Sequence, residues 1–363
     1  MSIVWADFPS GQYGIYGTDT ANMLDGVWAQ VEEGASGGTV NLIDDPDPNI
    51  GSAGQVLSVY GGTGQPSYTR IVNPAGANAT AGIGVRLWQT QLPSGNGNNG
   101  NATIWFQTAA NASVCYIKVF TNGSIGAYNS SGTLLGTSSI CLTANSYKHI
   151  EIKVLRHASA GTIEVRVDGV VKLALTGLAL GATDIGQYWI GSWVRTSLES
   201  TPSNRYKDFV LWDGVGSVGN DFQGSVAVRD LYTDADIDLN WTPSTGSTGW
   251  DLLDKTTPAD STYISAADPP PDPAKFSLTD LPPEVTTIKA LLPIMRAQKT
   301  DGGDCNVQVG LTPNNVDWTA GTDVPLTTSF TYTWDVSEVS PDTGVAWTPT
   351  EVNDAYIRFD RTL

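Results

Sequence analysis

TIEVRVDGVVKLAL, residues 162–175, alternates apolar and polar residues, turns at Asp168-Gly169 and then alternates again. With a period of two, Ile163, Val165 and Val167 share one face while Glu164, Arg166 and Asp168 share the other. Such a hairpin buries one side in a core and shows the other to water. Just upstream, HIEIKVLR (149–156) repeats the pattern, with Ile150, Ile152 and Val154 inward and Glu151 and Lys153 outward. The five residues HASAG separate the two, so the spacing predicts a three-strand meander.

Working outward, the first 218 residues hold a series of similar runs: GQVLSVYGG, AGIGVRLWQT, NATIWFQT, SVCYIKVFT, QYWIGSWVR and YKDFVLWDG. Glycine, asparagine or serine separates nearly every pair. Short strands at such intervals, with turn residues between them, mark a β-sandwich or jelly roll rather than a βαβ sheet. The segment 219–275 is rich in turns and, at AADPPPDPAK (266–275), in proline, which reads as a connection. Residues 276–363, with a start possible from about 225, form a second β-domain. Within it TTIKALLPIMRAQKTDGGDCNVQVGLTP reads as strand, Asp-Gly-Gly turn and strand. Thr348, Pro349 and Glu351 make a capping box for one short helix. The expectation is an all-β chain of two β-sandwich or jelly-roll domains in tandem.

The 363 residues carry a net charge of −18, and only 15% are charged, against 39 glycines and 20 prolines. Such an acidic chain repels phosphate backbones, which argues against nucleic acid as a partner. No apolar run approaches the ~20 residues of a membrane span, and MSIVWADFPSGQYG lacks the pattern of a secretory signal. Cys115, Cys141 and Cys305 match no zinc spacing and read as packing residues.

Candidate chemistry is sparse. His149 and His157 flank strand ends without a nucleophile or metal motif, and read as structural or surface residues. Asp208, Asp213 and Asp221 are candidate calcium ligands, yet they do not form the dense acidic loop of an EF-hand. Trp105, Trp189 and Trp212 lie inside strand patterns and read as core packing, with sugar stacking the alternative. LPSGNGNNGNAT (92–103) is an Asn-rich loop suited to hydrogen-bonding sugar hydroxyls. No catalytic, cofactor-binding or metal residue is assigned.

Three elements stand together: TANMLDGVWAQV (20–31), the meander through GTIEVRVDGVVKLAL, and NRYKDFVLWDGVGSVGNDFQG (204–224). In combination they resemble the concanavalin A-like, laminin G-like jelly roll. Some members of that fold are glycoside hydrolases resembling endoglucanases, with alternating carboxylates on one strand. Here Arg166 stands between Glu164 and Asp168, which implies a non-enzymatic chain. Together with residues 240–254, 256–266, 289–303 and 340–355, the chain also looks similar to structural proteins of tailed bacteriophages. That resemblance implies a virion protein without cofactors, made in the host cytoplasm and assembling with other virion subunits and with itself in a tail, baseplate or fibre. The alternatives are a glycan-binding receptor-recognition protein, meeting a host-surface glycan, or a capsid decoration protein.

Overall fold

In the computed structural model the described residues are 3–7, 28–32, 39–47, 55–61, 67–73, 76–93, 100–194, 203–216, 218–253, 260–267, 272–314, 318 and 321–363. Residues 20–27 of the quoted N-terminal element, 94–99 of the Asn-rich loop and the prolines 269–271 lie outside them. Two compact units divide the chain, Met1–Arg229 and Asp230–Leu363. The stretch 219–275, expected as a connection, is split between them. Its last four-fifths belong to the second unit, where Thr233–Asp238 pairs with Ala274–Leu278.

The first unit contains fifteen described strands in chain order. They are β1 (Ile3–Asp7), β2 (Trp28–Glu32), β3 (Thr39–Asp44), β4 (Gln55–Tyr60), β5 (Ser67–Val72), β6 (Thr80–Gln89), β7 (Gly100–Thr108) and β8 (Ser113–Phe120), then β9 (Ile125–Asn129), β10 (Leu134–Thr137), β11 (Lys148–Leu155), β12 (Gly161–Val167), β13 (Val170–Leu178), β14 (Ile185–Val194) and β15 (Ser203–Trp212). One antiparallel sheet runs β13-β12-β11-β6-β15-β4-β3, with β1 also on β15. The other runs β10-β9-β8-β7-β14-β5-β2. Because the chain passes repeatedly from one sheet to the other, this is a jelly-roll sandwich.

The meander forms as its alternation demands. Ile150 faces Val167, Ile152 faces Val165, and Val154 faces Ile163, while β6 presents Val85, Ile83 and Ala81 on the other side. All are buried. Each such aliphatic side chain contributes about 1.5–3 kcal/mol on leaving water, which holds the register in place. From the facing sheet, Phe106 and Tyr188 meet edge to face at 5.4 Å, and the Tyr188 hydroxyl donates to the carbonyl of Gly82. At one end Asn101, Ser192, Asn204 and Gln89 form a buried amide network joining the two sheets.

One expectation fails on the outward face of this meander. Glu151 is not in water: it is buried, and its Oε1 accepts from the backbone N–H groups of Gln223 (2.6 Å) and Gly224 (2.9 Å). A strap of residues 221–228 lies across the outer side of the sheet. Arg86 donates to Ser225 Oγ and to the Val226 carbonyl, and Asp208 Oδ1 accepts from Val228 N. Alternation shows which residues share a face, but it cannot show that a later segment returns to cover it.

β15 serves two partners in succession, β4 at Ser203–Tyr206 and β1 at Phe209–Trp212. Between them Asp208 has φ 55° and the register against β6 slips, a bulge that aspartate tolerates better than most residues.

In the second unit a five-stranded antiparallel sheet runs Thr233–Asp238, Ala274–Leu278, Tyr356–Arg361, Asn306–Thr312 and Val324–Pro325. Its core gathers Phe276, Phe359, Val309, Leu311 and Trp347. The strands on either side of Asp301-Gly302-Gly303 do not pair with each other: Ile294–Ala297 pairs with Thr331–Trp334 and Asn306–Thr312 with the C-terminal strand. The helix Pro349–Asn353 carries the capping box, with Thr348 and Glu351 bonded reciprocally.

Candidate functional site

The second sheet of the first unit carries a ladder of aromatic residues on its outer face. Tyr128, Tyr116, Trp105, Trp189 and Arg70 are successive partners on β9, β8, β7, β14 and β5. Each aromatic stands between inward residues on its own strand: Trp105 between Ile104 and Phe106, Tyr116 between Cys115 and Ile117, Trp189 between Tyr188 and Ile190. By the period of two, the ladder therefore points away from the inter-sheet core.

The rings pack on one another. Tyr68 lies flat against Trp189 at 3.9 Å, Tyr116 against Tyr128 at 5.1 Å, and Trp105 near Trp193 at 6.3 Å. Gly191, opposite Tyr68, makes room for the first stack, since a Cβ there would come within 2.7 Å of the Tyr68 Cβ. The Lys118 ammonium sits 4.6 Å over the Tyr128 ring.

Of these rings Trp105, Tyr116, Trp189 and Trp193 line a cleft of about 300 Å³, at the small end of the ligand-pocket range. Trp105 and Tyr116 are buried, and Trp189 and Trp193 are half-buried. Gln107, Ser113 and the turn Ser130–Gly132 complete the lining. Asn129 shapes that turn by accepting from Ser131 N and Thr133 N. The polar side chains of the cleft are incompletely satisfied. Gln107 Oε1, Ser113 Oγ and Trp189 Nε1 are buried without a hydrogen-bond partner among the described residues. Buried polar atoms are paired in the great majority of cases, so three orphans around one cleft need an explanation.

The residues singled out in the sequence fall elsewhere or change role. Trp105 packs as expected, buried in a cluster with Tyr116, Phe120 and Tyr128, and Trp189 lies partly buried against it; the cluster is on the outer face of the sheet rather than between the sheets, and both residues also line the cleft. Trp212 is buried on the outer side of the other sheet, over Gly82 and 6.0 Å from Phe222. Asn101 is locked in the buried amide network rather than offered to a ligand. Trp193 and Gln107 were missed. Their signal was parity with Trp189 and Trp105, four and two residues away on the same strands.

The remaining candidates are structural. Arg166 donates to Glu164 at 2.8 Å, and Asp168 accepts from Lys148 Nζ and His149 N in the hairpin turn. Burial would raise the Asp168 carboxyl, but these hydrogen bonds outweigh it and hold it below its ordinary value. Asp208 is paired with Arg86, Asp221 with Lys153, and Asp213 accepts from Val215 N. Among the described residues no group of three or more His, Cys, Asp or Glu side chains is placed to hold a metal ion. His157 Nδ1 accepts from Ser159 N and Ala160 N in a turn. His149 is buried, and burial followed by the nearby Arg86 charge pushes it down to about 3.

No protein-family model matches the chain, and no curated protein matches it. Solved structures with similarity include cellulose induced protein Cip1, at 15% identity and TM-score 0.39, covering 55% of this chain and 96% of that one. Domain 4 of AbnA, an extracellular arabinanase from Geobacillus stearothermophilus solved with arabinotriose, aligns at 12% identity and TM-score 0.37 over 58% and 92% of the two chains. Alginate lyase vAL-1 from Chlorella virus aligns at 14% identity and TM-score 0.37 over 55% and 99%.

Proposed function

We propose that the first unit is a carbohydrate-binding domain whose ligand occupies the aromatic cleft on the outer face of β7, β8 and β14. One observation carries this reading: the cleft combines tryptophan rings with three buried polar atoms that lack partners. The carbon-bound hydrogens of a sugar ring pack against indole faces, while its hydroxyls both donate and accept. Trp189 Nε1 supplies a donor, Gln107 Oε1 an acceptor and Ser113 Oγ either. These atoms are closed to solvent in the structure, so a sugar pairs them as the lining side chains turn toward it, relieving about 1–3 kcal/mol for each unpaired group. The described lining holds no carboxylate or imidazole, so its chemistry is stacking and hydrogen bonding.

Calorimetric titration of the full chain with a panel of oligosaccharides tests the reading, using Trp193→Ala as the control. Binding by the parent, weakened at least about tenfold in a folded Trp193→Ala protein, is the expected result. Equal binding by both proteins, or no binding by either, overturns it.

The sequence resemblance supplies a setting: a tail, baseplate or fibre subunit of a tailed-phage virion, assembled with other virion subunits and with copies of itself. There the cleft would meet a host-surface glycan. That setting rests on the quoted sequence elements, and mass spectrometry of purified virions that encode the chain tests it. Absence of the chain from those particles removes it and leaves the binding proposal standing.

A further inference from the structure

The cleft has a property that narrows its ligand. Every side chain that lines it among the described residues is uncharged: four aromatics, one glutamine and serines. The described cations of the same sheet face lie outside the lining, although Arg70 Nε is buried without a hydrogen-bond partner among the described residues. Arg70 Nη1 donates to Asn111 Oδ1 at 3.1 Å, and the Lys118 ammonium lies over the Tyr116 and Tyr128 rings. The whole chain carries a net charge of −18.

Resting on the carbohydrate-binding reading, we propose that this cleft selects neutral glycans and rejects those carrying uronate or sialate carboxylates. A carboxylate entering the cleft would lose its hydration against indole and amide groups, with no cation in the lining to replace it. Burying an unpaired charge is far more costly than burying a hydroxyl that finds a partner. The field of an acidic protein adds long-range repulsion. A neutral sugar meets neither penalty, and its hydroxyls match the unpaired atoms of Gln107, Ser113 and Trp189.

Gln107 separates a ligand-binding role from a structural one. Its side chain is 3% exposed and its Oε1 has no partner among the described residues. Gln107→Leu removes that buried acceptor while nearly keeping the volume. If Gln107 serves only the fold, the change is neutral or stabilising and binding is untouched. A residue kept for the ligand gives a different pattern, in which the melting temperature holds or rises while affinity for the neutral sugar falls.

The test is titration of the full chain with two sets of probes, cellohexaose, xylohexaose and chitohexaose against hexamannuronate, hexagalacturonate and sialyllactose, at low and high salt. The expected result is binding to at least one neutral probe with little dependence on salt, at least about tenfold tighter than to any anionic probe. In Gln107→Leu that affinity drops at least about tenfold with no loss of thermal stability. Anionic probes binding as tightly as neutral ones, or more tightly at low salt, overturn the selectivity but leave carbohydrate binding intact. Unchanged neutral-sugar affinity in a folded Gln107→Leu protein also overturns the proposal. No binding to either set overturns the selectivity and the carbohydrate reading together.

Discussion

Trp189 stands directly opposite Trp105 across the β14–β7 pair, and Tyr68 lies flat on Trp189 at 3.9 Å. This places two indoles side by side on the face that the sandwich does not need for its own core. The outer face of an antiparallel sheet is ordinarily polar; here it carries a second aromatic cluster, buried at Trp105 and Tyr116, with the half-buried Trp189 and Trp193 at the cleft. The stacking also fixes the rings in advance, which lowers the ordering cost when a ligand arrives.

The meander supplies the sharpest stability contrast. Val165 is fully buried opposite Ile152, whereas Glu164 is half-exposed and touches Arg166. Val165→Asp places an unpaired carboxylate in the inter-sheet core, a cost of several kcal/mol against a typical total of about 5–15 kcal/mol. Soluble expression of Val165→Asp is expected to fail, while Glu164→Ala stays within about 0.5 kcal/mol of the parent in urea unfolding. The reverse outcome would contradict the face assignment.

His149 makes stability depend on pH. Burial and then Arg86 hold its imidazole at about 3 in the folded chain, against an ordinary 6.5. The folded state therefore binds fewer protons than the unfolded state between those values. The stability contribution is complete above about 6.5 and is lost as pH falls toward about 3, with a slope approaching about 1.4 kcal/mol per pH unit. His149→Phe removes the titration, so its stability should fall less steeply on acidification. Parallel curves for parent and variant would contradict this.

A buried ion pair ties β15 to the end of β3. The Lys207 ammonium and the Asp45 carboxylate are both almost wholly buried, and the Tyr147 hydroxyl donates to the same Asp45 at 3.0 Å. Lys207→Met leaves a buried carboxylate without its cation and is expected to cost about 3–5 kcal/mol in chemical denaturation. The double variant Lys207→Met/Asp45→Leu should recover much of that loss. A double variant no better than the single one would mean that the pair matters through packing rather than charge.

The parts of the fold written in local alternation were legible in the sequence. Ile150, Ile152, Val165 and Val167 announced the meander, and Thr348, Pro349 and Glu351 announced their helix. What stayed hidden depends on contacts distant in sequence. Nothing near Glu151 indicates that residues 223 and 224 return to cap it. The two strands beside Asp301-Gly302-Gly303 look like a hairpin until Thr331–Trp334 claims one of them. The cleft was half visible. Trp105 and Trp189 were noticed, but in strands buried on both faces the apolar run is continuous. Trp105 opposes Ile104 and Trp189 opposes Ile190 by adjacency, but only the pairing of the strands and sheets shows which of the two faces the inter-sheet core.

The central claim is that a sugar occupies the cleft among Trp105, Trp189, Trp193 and Gln107. A crystal structure of the full chain soaked with whichever neutral hexasaccharide binds in titration tests this most directly. The account predicts sugar density against the Trp189 or Trp193 ring, with a hydroxyl within hydrogen-bonding distance of Gln107 Oε1. Sugar bound at another surface, with the cleft holding only water, would contradict it.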